Sequence, residues 1–371
     1  MSMILHGTVS DNTVALDRKT ATPLIINGDM QISQRGTSFT VGTADPYVTD
    51  RWKCVGDGAS VFTVTQDTDV PTGQGFSKSL KWDTTTAESS LASGTAVLFM
   101  QRIEGQNLQM FKKGTSNAEA FTVSFWVKSA KTGVHILQMR DNNNSRQQSQ
   151  SYTVASANTW EKHVVSFVAD TTGAFDNDNG ASLDLMWWLS AGSNFTSGTL
   201  ATSWEAVDNT NRAVGQVNVA DNTANNWYIT GIQMEVGTFD ANSIPAFQHE
   251  DVATSLVRCQ RYYQTIGNDT EAGQRHVATG KVRSSTKCDF GLVLPFEMRS
   301  SPTISVSDGT GFEVFHGGST VTNTTSLSYS NSSPQTVSGL FDVSSGLTAG
   351  DAAFIRTDST AGRELQMDSE L

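Results

Sequence analysis

The chain is poor in charge, proline and cysteine. Of its 371 residues only 17% are Asp, Glu, Lys or Arg, and prolines number 7. No run of about 18 apolar residues occurs, so a helical membrane span or other membrane insertion is not expected. The net charge is -12 and no basic stripe is present, which argues against nucleic acid as a main partner. The opening MSMILHGTVSDNT lacks the basic start and long apolar core of a secretory leader. The three cysteines, Cys54, Cys259 and Cys288, share no CxxC spacing and cannot all pair within the chain. They are expected as isolated buried thiols, with synthesis in a reducing compartment.

Catalytic signatures are missing as well. There is no GxGxxG at a strand–helix junction, no GKS or GKT, no HExxH and no GxSxG. The histidines do not cluster, and His135 and His163 read as ordinary strand residues. Glu88 and Glu104 lie near strands, but nothing pairs them as acid and base. An enzyme is not expected, and a glycosidase that cuts polysaccharide is the alternative kept open. DNDNG at 176–180 has its glycine fifth rather than sixth and no Glu at the twelfth position, so it fails the EF-hand template.

What is present is Ser, Thr, Asn and Gly in abundance, with 8 Trp and 18 Phe, too many aromatics for a disordered chain. From residue 24 to 248 short apolar runs alternate with polar turns: SVFTVTQ, SLKW, AVLFMQRI, FTVSFWVKS, GVHILQMR, WEKHVVSFVA, LDLMWWLSAG and NWYITGIQMEV. Eight or more strands without helical crossovers imply two antiparallel sheets face to face. HEDVATSLVRCQRYYQ breaks the pattern, with Val252, Leu256, Cys259 and Tyr263 at helical spacing. Strands return from about 275 to the end. The expected fold is therefore all-β: a jelly-roll β-sandwich over 23–248, a connecting helix over 249–266 and a second, smaller β-sandwich over 267–371, with residues 1–22 as a docking segment.

Strand alternation assigns faces. In TVSFWVK, Val123, Phe125 and Val127 share the apolar side, so Trp126 points away from the core. In LDLMWWLS, Leu183, Leu185, Trp187 and Leu189 share one side, which puts Trp188 on the other. Three fates are open to an outward Trp: stacking on a sugar ring, packing under a long loop, or lying in a subunit interface. Gln138 and Arg140 share a face with Val134 and Ile136 and are candidates for hydrogen bonds to a polar ligand. In LIINGDMQISQRG, Leu24–Ile26 is expected as the first strand and Asn27-Gly28 as a tight bend. Asp29 there caps the bend or, with Glu235 near the last strand, contributes to a structural calcium site, the one cofactor considered.

The ordered series LIINGDMQISQRG, YVTDRW, FMQRIEGQN, FTVSFWVKSAKTGVH, NTWEKHVVSF, NWYITGIQMEVG and LVRCQRYYQ resembles receptor-binding or tail-fibre type structural proteins of tailed bacteriophages, with LPFEMRSSPTISV and the final MDSEL matching their distal β domain. The N-terminal part of such proteins is similar to jelly-roll carbohydrate-binding modules. The resemblance implies a non-enzymatic virion component at the particle surface, made in the host cytoplasm. It implies a homotrimer that touches host cell-surface glycan, and the short polar segment 1–22 is expected to dock it on other virion proteins. Only about 22 residues precede the module here, which points to a short appendage on tail, head or neck. A purely structural decoration or adaptor subunit is the alternative.

Overall fold

The computed structural model describes residues 22–371 other than 43, 268–271 and 319. The docking segment expected at 1–22 lies outside the described residues except for Thr22. The chain divides into two compact units, one ending at Ser255 and rejoined by Leu371, the other running from Leu256 to Glu370.

The first unit is a sandwich of two six-stranded sheets. One sheet has the order β1 (Ser38–Val41), β3 (Val61–Asp67), β4 (Ser79–Thr86), β12 (Asn226–Val236), β6 (Phe121–Ser129), β9 (Glu161–Phe167). The other runs β11 (Glu205–Ala206), β8 (Arg146–Val154), β7 (Gly133–Asp141), β10 (Ala181–Ala191), β5 (Ala96–Glu104), β2 (Lys53–Asp57). All neighbours within each sheet are antiparallel. The period-2 apolar pattern accounts for the pairing of faces. Val123, Phe125 and Val127 of β6 and Leu183, Leu185, Trp187 and Leu189 of β10 are fully buried in one shared core. Phe99 stands at its centre, stacked on Trp52 at 4.5 Å and within 6.5 Å of Trp82, Trp187 and Trp227.

The opening stretch differs from expectation. Leu24–Ile26 is buried but forms no strand, and the first strand is Ser38–Val41. The side-chain amide of Gln101 takes the place of a strand neighbour: its Oε1 accepts from Ile26 N at 3.1 Å and its Nε2 donates to Ile26 O at 2.8 Å. Asn27 supplies the positive φ of the bend, 57°. Gly28 serves close approach instead, since a Cβ there would lie 2.1 Å from Ile232 O.

Two features stand outside the apolar core. In β12, Thr230 faces Trp126 and Gln233 faces Ser124, so one extra residue sits between them as a bulge. A bulge re-aims the side chains beyond it, and here it turns Gln233 to the outer face beside Ser124. Gly231 within the bulge has φ +63°, and a Cβ on it would lie 2.5 Å from Phe76 Cζ. The second feature is a buried ion cluster. Lys113 Nζ lies 2.6 Å from Asp141 Oδ2 and 3.0 Å from Asp170 Oδ2, and the three side chains are 1%, 0% and 4% exposed. Lys113 also donates to the carbonyls of Thr172 and Gly173, and Arg146 Nε donates to Asp170 at 2.7 Å. Together they tie the 170–176 loop to β7 and β8. Burial raises the pKa of Asp170, but the hydrogen bonds from Arg146 and Lys113 outweigh it and hold the carboxyl below its usual range.

The helical segment is shorter than expected. The helix spans Val252–Gln260, opened by Asp251 Oδ1 accepting from Thr254 N at 3.0 Å, and Tyr263 already begins a strand. Val252 is 63% exposed, and the helix buries Ser255 and Cys259. Where a second, smaller β-sandwich is expected over 267–371, the strands of the second unit close into a barrel instead. The barrel order is β14 (His276–Ser284), β15 (Lys287–Val293), β19 (Thr336–Val343), β18 (Thr320–Ser332), β17 (Phe312–His316), β20 (Ala352–Thr357). A three-stranded sheet of β13 (Tyr263–Gly267), β21 (Glu364–Asp368) and β16 (Thr303–Val306) completes it. Closure removes the exposed edges that two open sheets would leave. Phe290, Phe312 and Phe341 meet inside at about 5 Å. All three cysteines are buried and none is in a disulfide.

Gly231→Ala is expected to cost about 1–3 kcal/mol of unfolding free energy, because the residue must keep a left-handed backbone while its methyl displaces Phe76; an unchanged denaturation curve would contradict this packing. Lys113→Met leaves two buried carboxylates short of a partner and is expected to cost about 3–5 kcal/mol. Because the folded pKa of Asp170 is lowered, its contribution is present above the unfolded value and is lost as pH falls through the folded value. Chemical unfolding at pH 6 and pH 3 should therefore show a smaller acid-induced loss in Asp170→Asn than in the parent.

Candidate functional site

The two outer faces of the sandwich are built differently. On the sheet containing β10, Trp188 and Gln138 do point away from the core as their alternation requires, yet both are fully buried. Residues 192–218 fold back over them. Trp188 Nε1 donates to Gln138 Oε1 at 3.0 Å, and Arg212 Nε donates to the same oxygen at 3.2 Å. The Arg212 guanidinium lies 5.0 Å from the Trp188 ring and 5.5 Å from Phe195. Burial lowers Arg212 to about 10, with Arg140 adding to the effect and Asp184 opposing it. Of the three fates open to Trp188, packing under a long loop is the one observed, and Gln138 spends its acceptor on that loop. Arg140 is half-buried, its Nε has no hydrogen-bond partner among the described residues, and cross-strand Asp184 faces it. Burial pushes the Asp184 carboxyl up, although Arg102, Asn142, Arg140 and Arg212 all pull it down.

The outer face of the sheet containing β6 carries Thr122, Ser124, Trp126 and Lys128, opposite Glu235, Gln233, Thr230 and Tyr228 of β12. Five of the eight tryptophans are fully buried: Trp52, Trp82, Trp187, Trp188 and Trp227. The other three are half-buried. Trp160 donates its indole N–H to Asp69 Oδ1 at 2.9 Å, and Trp204 donates to Val168 O at 2.8 Å. Trp126 has no such bond among the described residues. Its ring lines a pocket of about 330 Å³ with Ser124, Gln233, Phe76, Phe247, His249, Gln74 and Lys162, a size within the ~300–1,000 Å³ of small-molecule sites.

The pocket is assembled from distant parts of the sequence. β6 supplies Ser124 and Trp126, and β9 places Lys162 directly across from Trp126. The β12 bulge supplies Gln233. Phe76, Phe247 and His249 form an aromatic wall with ring centroids 4.8–5.3 Å apart. Gln233 is 6% exposed, its Nε2 donates to Pro245 O at 2.7 Å, and its buried Oε1 has no hydrogen-bond donor among the described residues. Beside the pocket, Trp160 and Tyr228 lie 6.1 Å apart, and the Lys128 ammonium stands 4.1 Å over Tyr228 while pairing with Asp69.

Alternation thus found Trp126 but had no signal for Phe247, His249, Gln74 or Lys162, which come together only through loop and sheet topology. The two calcium candidates do meet: Asp29 and Glu235 line one cleft of about 20 Å³, along with Glu250 and residues 23–25. Burial raises the Asp29 carboxyl, His249 lowers it and Glu250 raises it further. Among the described residues no group of three or more His, Cys, Asp and Glu is disposed to hold a metal ion. Glu88 is committed to structure: its carboxylate accepts from Ala59 N, Ser60 N, Ala92 N and Thr95 Oγ1. Glu104 is buried and accepts from Gln106. His135 is buried against Tyr152, and burial lowers it to about 4.

No protein-family profile matches the chain, and no curated protein matches it. Partial overlaps with solved structures exist. The enzymatically active domain of tailspike protein 4 of bacteriophage CBA120 overlaps 58% of this chain at 15% identity and a TM-score of 0.32. The matched part is 21% of that chain, so this chain spans about a fifth of its length. A family 4 carbohydrate-binding module overlaps 57% of this chain and 97% of its own, at 11% identity and a TM-score of 0.28. The family 11 carbohydrate-binding module of a cellulosomal cellulase of Clostridium thermocellum overlaps 54% of this chain and 96% of its own, at 11% identity and a TM-score of 0.28. Overlap at this level carries no function from those proteins to this one.

Proposed function

We propose that the chain is a non-enzymatic structural protein of a tailed-phage particle, a tail, head or neck appendage at the virion surface, whose larger unit binds host surface glycan in the Trp126 pocket. One observation carries the glycan part: a half-buried tryptophan whose indole N–H makes no hydrogen bond among the described residues lines a pocket with aromatic rings, the Gln74 and Gln233 amides, the Ser124 hydroxyl and Lys162. Sugars present that complement, an apolar ring face bordered by hydroxyls. The placement on a virion is supported by the ordered sequence series that runs from LIINGDMQISQRG to LVRCQRYYQ.

A second reading is favoured by exposed apolar groups elsewhere. Val293 is 77% and Phe354 45% exposed on the barrel unit, as suits association between copies in the expected homotrimer. In a purely structural subunit Trp126 would be covered by a neighbouring chain. A trimer would also multiply weak sugar contacts into useful avidity.

Trp126→Ala is expected to reduce binding of the purified protein to host cells by about tenfold or more, with the unfolding midpoint and sedimentation behaviour unchanged. Unaltered cell binding would rule out this pocket as the glycan site. Dissociation of an oligomer by the same substitution would support the structural alternative instead.

A further inference from the structure

The pocket has a charge asymmetry that narrows what it takes. None of its lining residues is a carboxylate, in a chain with 37 acidic and 25 basic residues. Lysines elsewhere on the same sheet face are neutralised: Lys81 lies 3.4 Å from Asp83, and Lys128 pairs with Asp69. Lys162, the cross-strand neighbour of Trp126, has no ion pair and no hydrogen bond among the described residues. Its side chain is exposed, so the ammonium is free to turn towards an anion that enters the pocket, and no carboxylate of the lining competes for it.

Building on the glycan reading, we propose that the Trp126 pocket selects a sugar bearing a carboxylate, a hexuronate or nonulosonate residue within an acidic surface polysaccharide. The apolar face of the sugar ring lies on Trp126. A ring hydroxyl hydrogen-bonds the exposed Gln74 side chain that also lines the pocket. The carboxylate accepts from Lys162 Nζ at the rim. Neutral sugars can satisfy the first two contacts but leave Lys162 unpaired.

The test uses the whole chain on an array of neutral, hexuronate-containing and nonulosonate-containing oligosaccharides. Calorimetry then follows on the strongest acidic binder and its methyl ester. The expected result is acidic binders only, with the ester weaker by about tenfold or more, the size of one charge-assisted hydrogen bond. Lys162→Gln should bind acid and ester alike, while Lys162→Arg should retain the preference. Neutral binders that are lost in Trp126→Ala would overturn this inference and leave glycan binding at the pocket standing. A methyl ester that binds as well as the acid would do the same. Absence of any binding sensitive to Trp126→Ala would overturn both.

Discussion

Phe99 lies among four tryptophans, and that contact sets the terms for the rest of the larger unit. Its ring stacks on Trp52 and meets Trp82, Trp187 and Trp227 edge-on or tilted. Trp52 belongs to the turn before β2, Trp187 to one sheet, and Trp82 and Trp227 to the other. Rings of this size bury much apolar area in fixed geometry, so they set the spacing and register of the two sheets together. Once register is fixed, every alternate residue is committed to the outside. Trp126 and Trp188 are outward because Phe125 and Trp187 are inward.

Being outward does not settle exposure, and here the two faces diverge. The face of β10 carries Leu98, Met100, Ile136, Met186 and Trp188, an apolar surface that would be costly in water and is closed by Ala213, Phe195 and Leu200. The loop that closes it also brings Arg212, whose charge sits over Trp188 and hydrogen-bonds Gln138. The face of β6 carries Thr122, Ser124, Trp126 and Lys128, too polar to require a lid. What stands there instead is a rim, with Phe76 held against Gly231 and Phe247 and His249 packed on Phe76.

These differences explain what could be read from the sequence. Strands with clean alternation, such as Phe121–Ser129 and Asn226–Val236, have the bounds their residues suggest. Strand β8, RQQSQSYTV, has no such signal because it is buried by polar means. Gln147 donates to Glu205, Gln148 to Thr202 O, and Ser149 to Arg212 O. Leu24–Ile26 reads as a strand because its composition reports burial, and burial is what it has; its hydrogen bonds go to one glutamine side chain rather than to a neighbouring strand. The pocket was legible only at Trp126. Its remaining walls depend on a one-residue bulge and on loops from the far end of the unit, and period-2 reasoning cannot see across either.

The buried cations of this unit are compensated from within the chain. Lys113 is enclosed as deeply as any lysine can be, and it is met by two carboxylates, two carbonyls and the faces of Phe175 and Trp204. Arg212 is held by an amide oxygen, two rings and the field of Asp184. In both places the chain itself supplies what a desolvated cation needs. Lys162 differs on both counts: it is exposed, and no anion among the described residues pairs with it. An exposed cation across the strand from Trp126, in a pocket lined by no carboxylate, is the feature on which the proposed acidic-sugar preference rests.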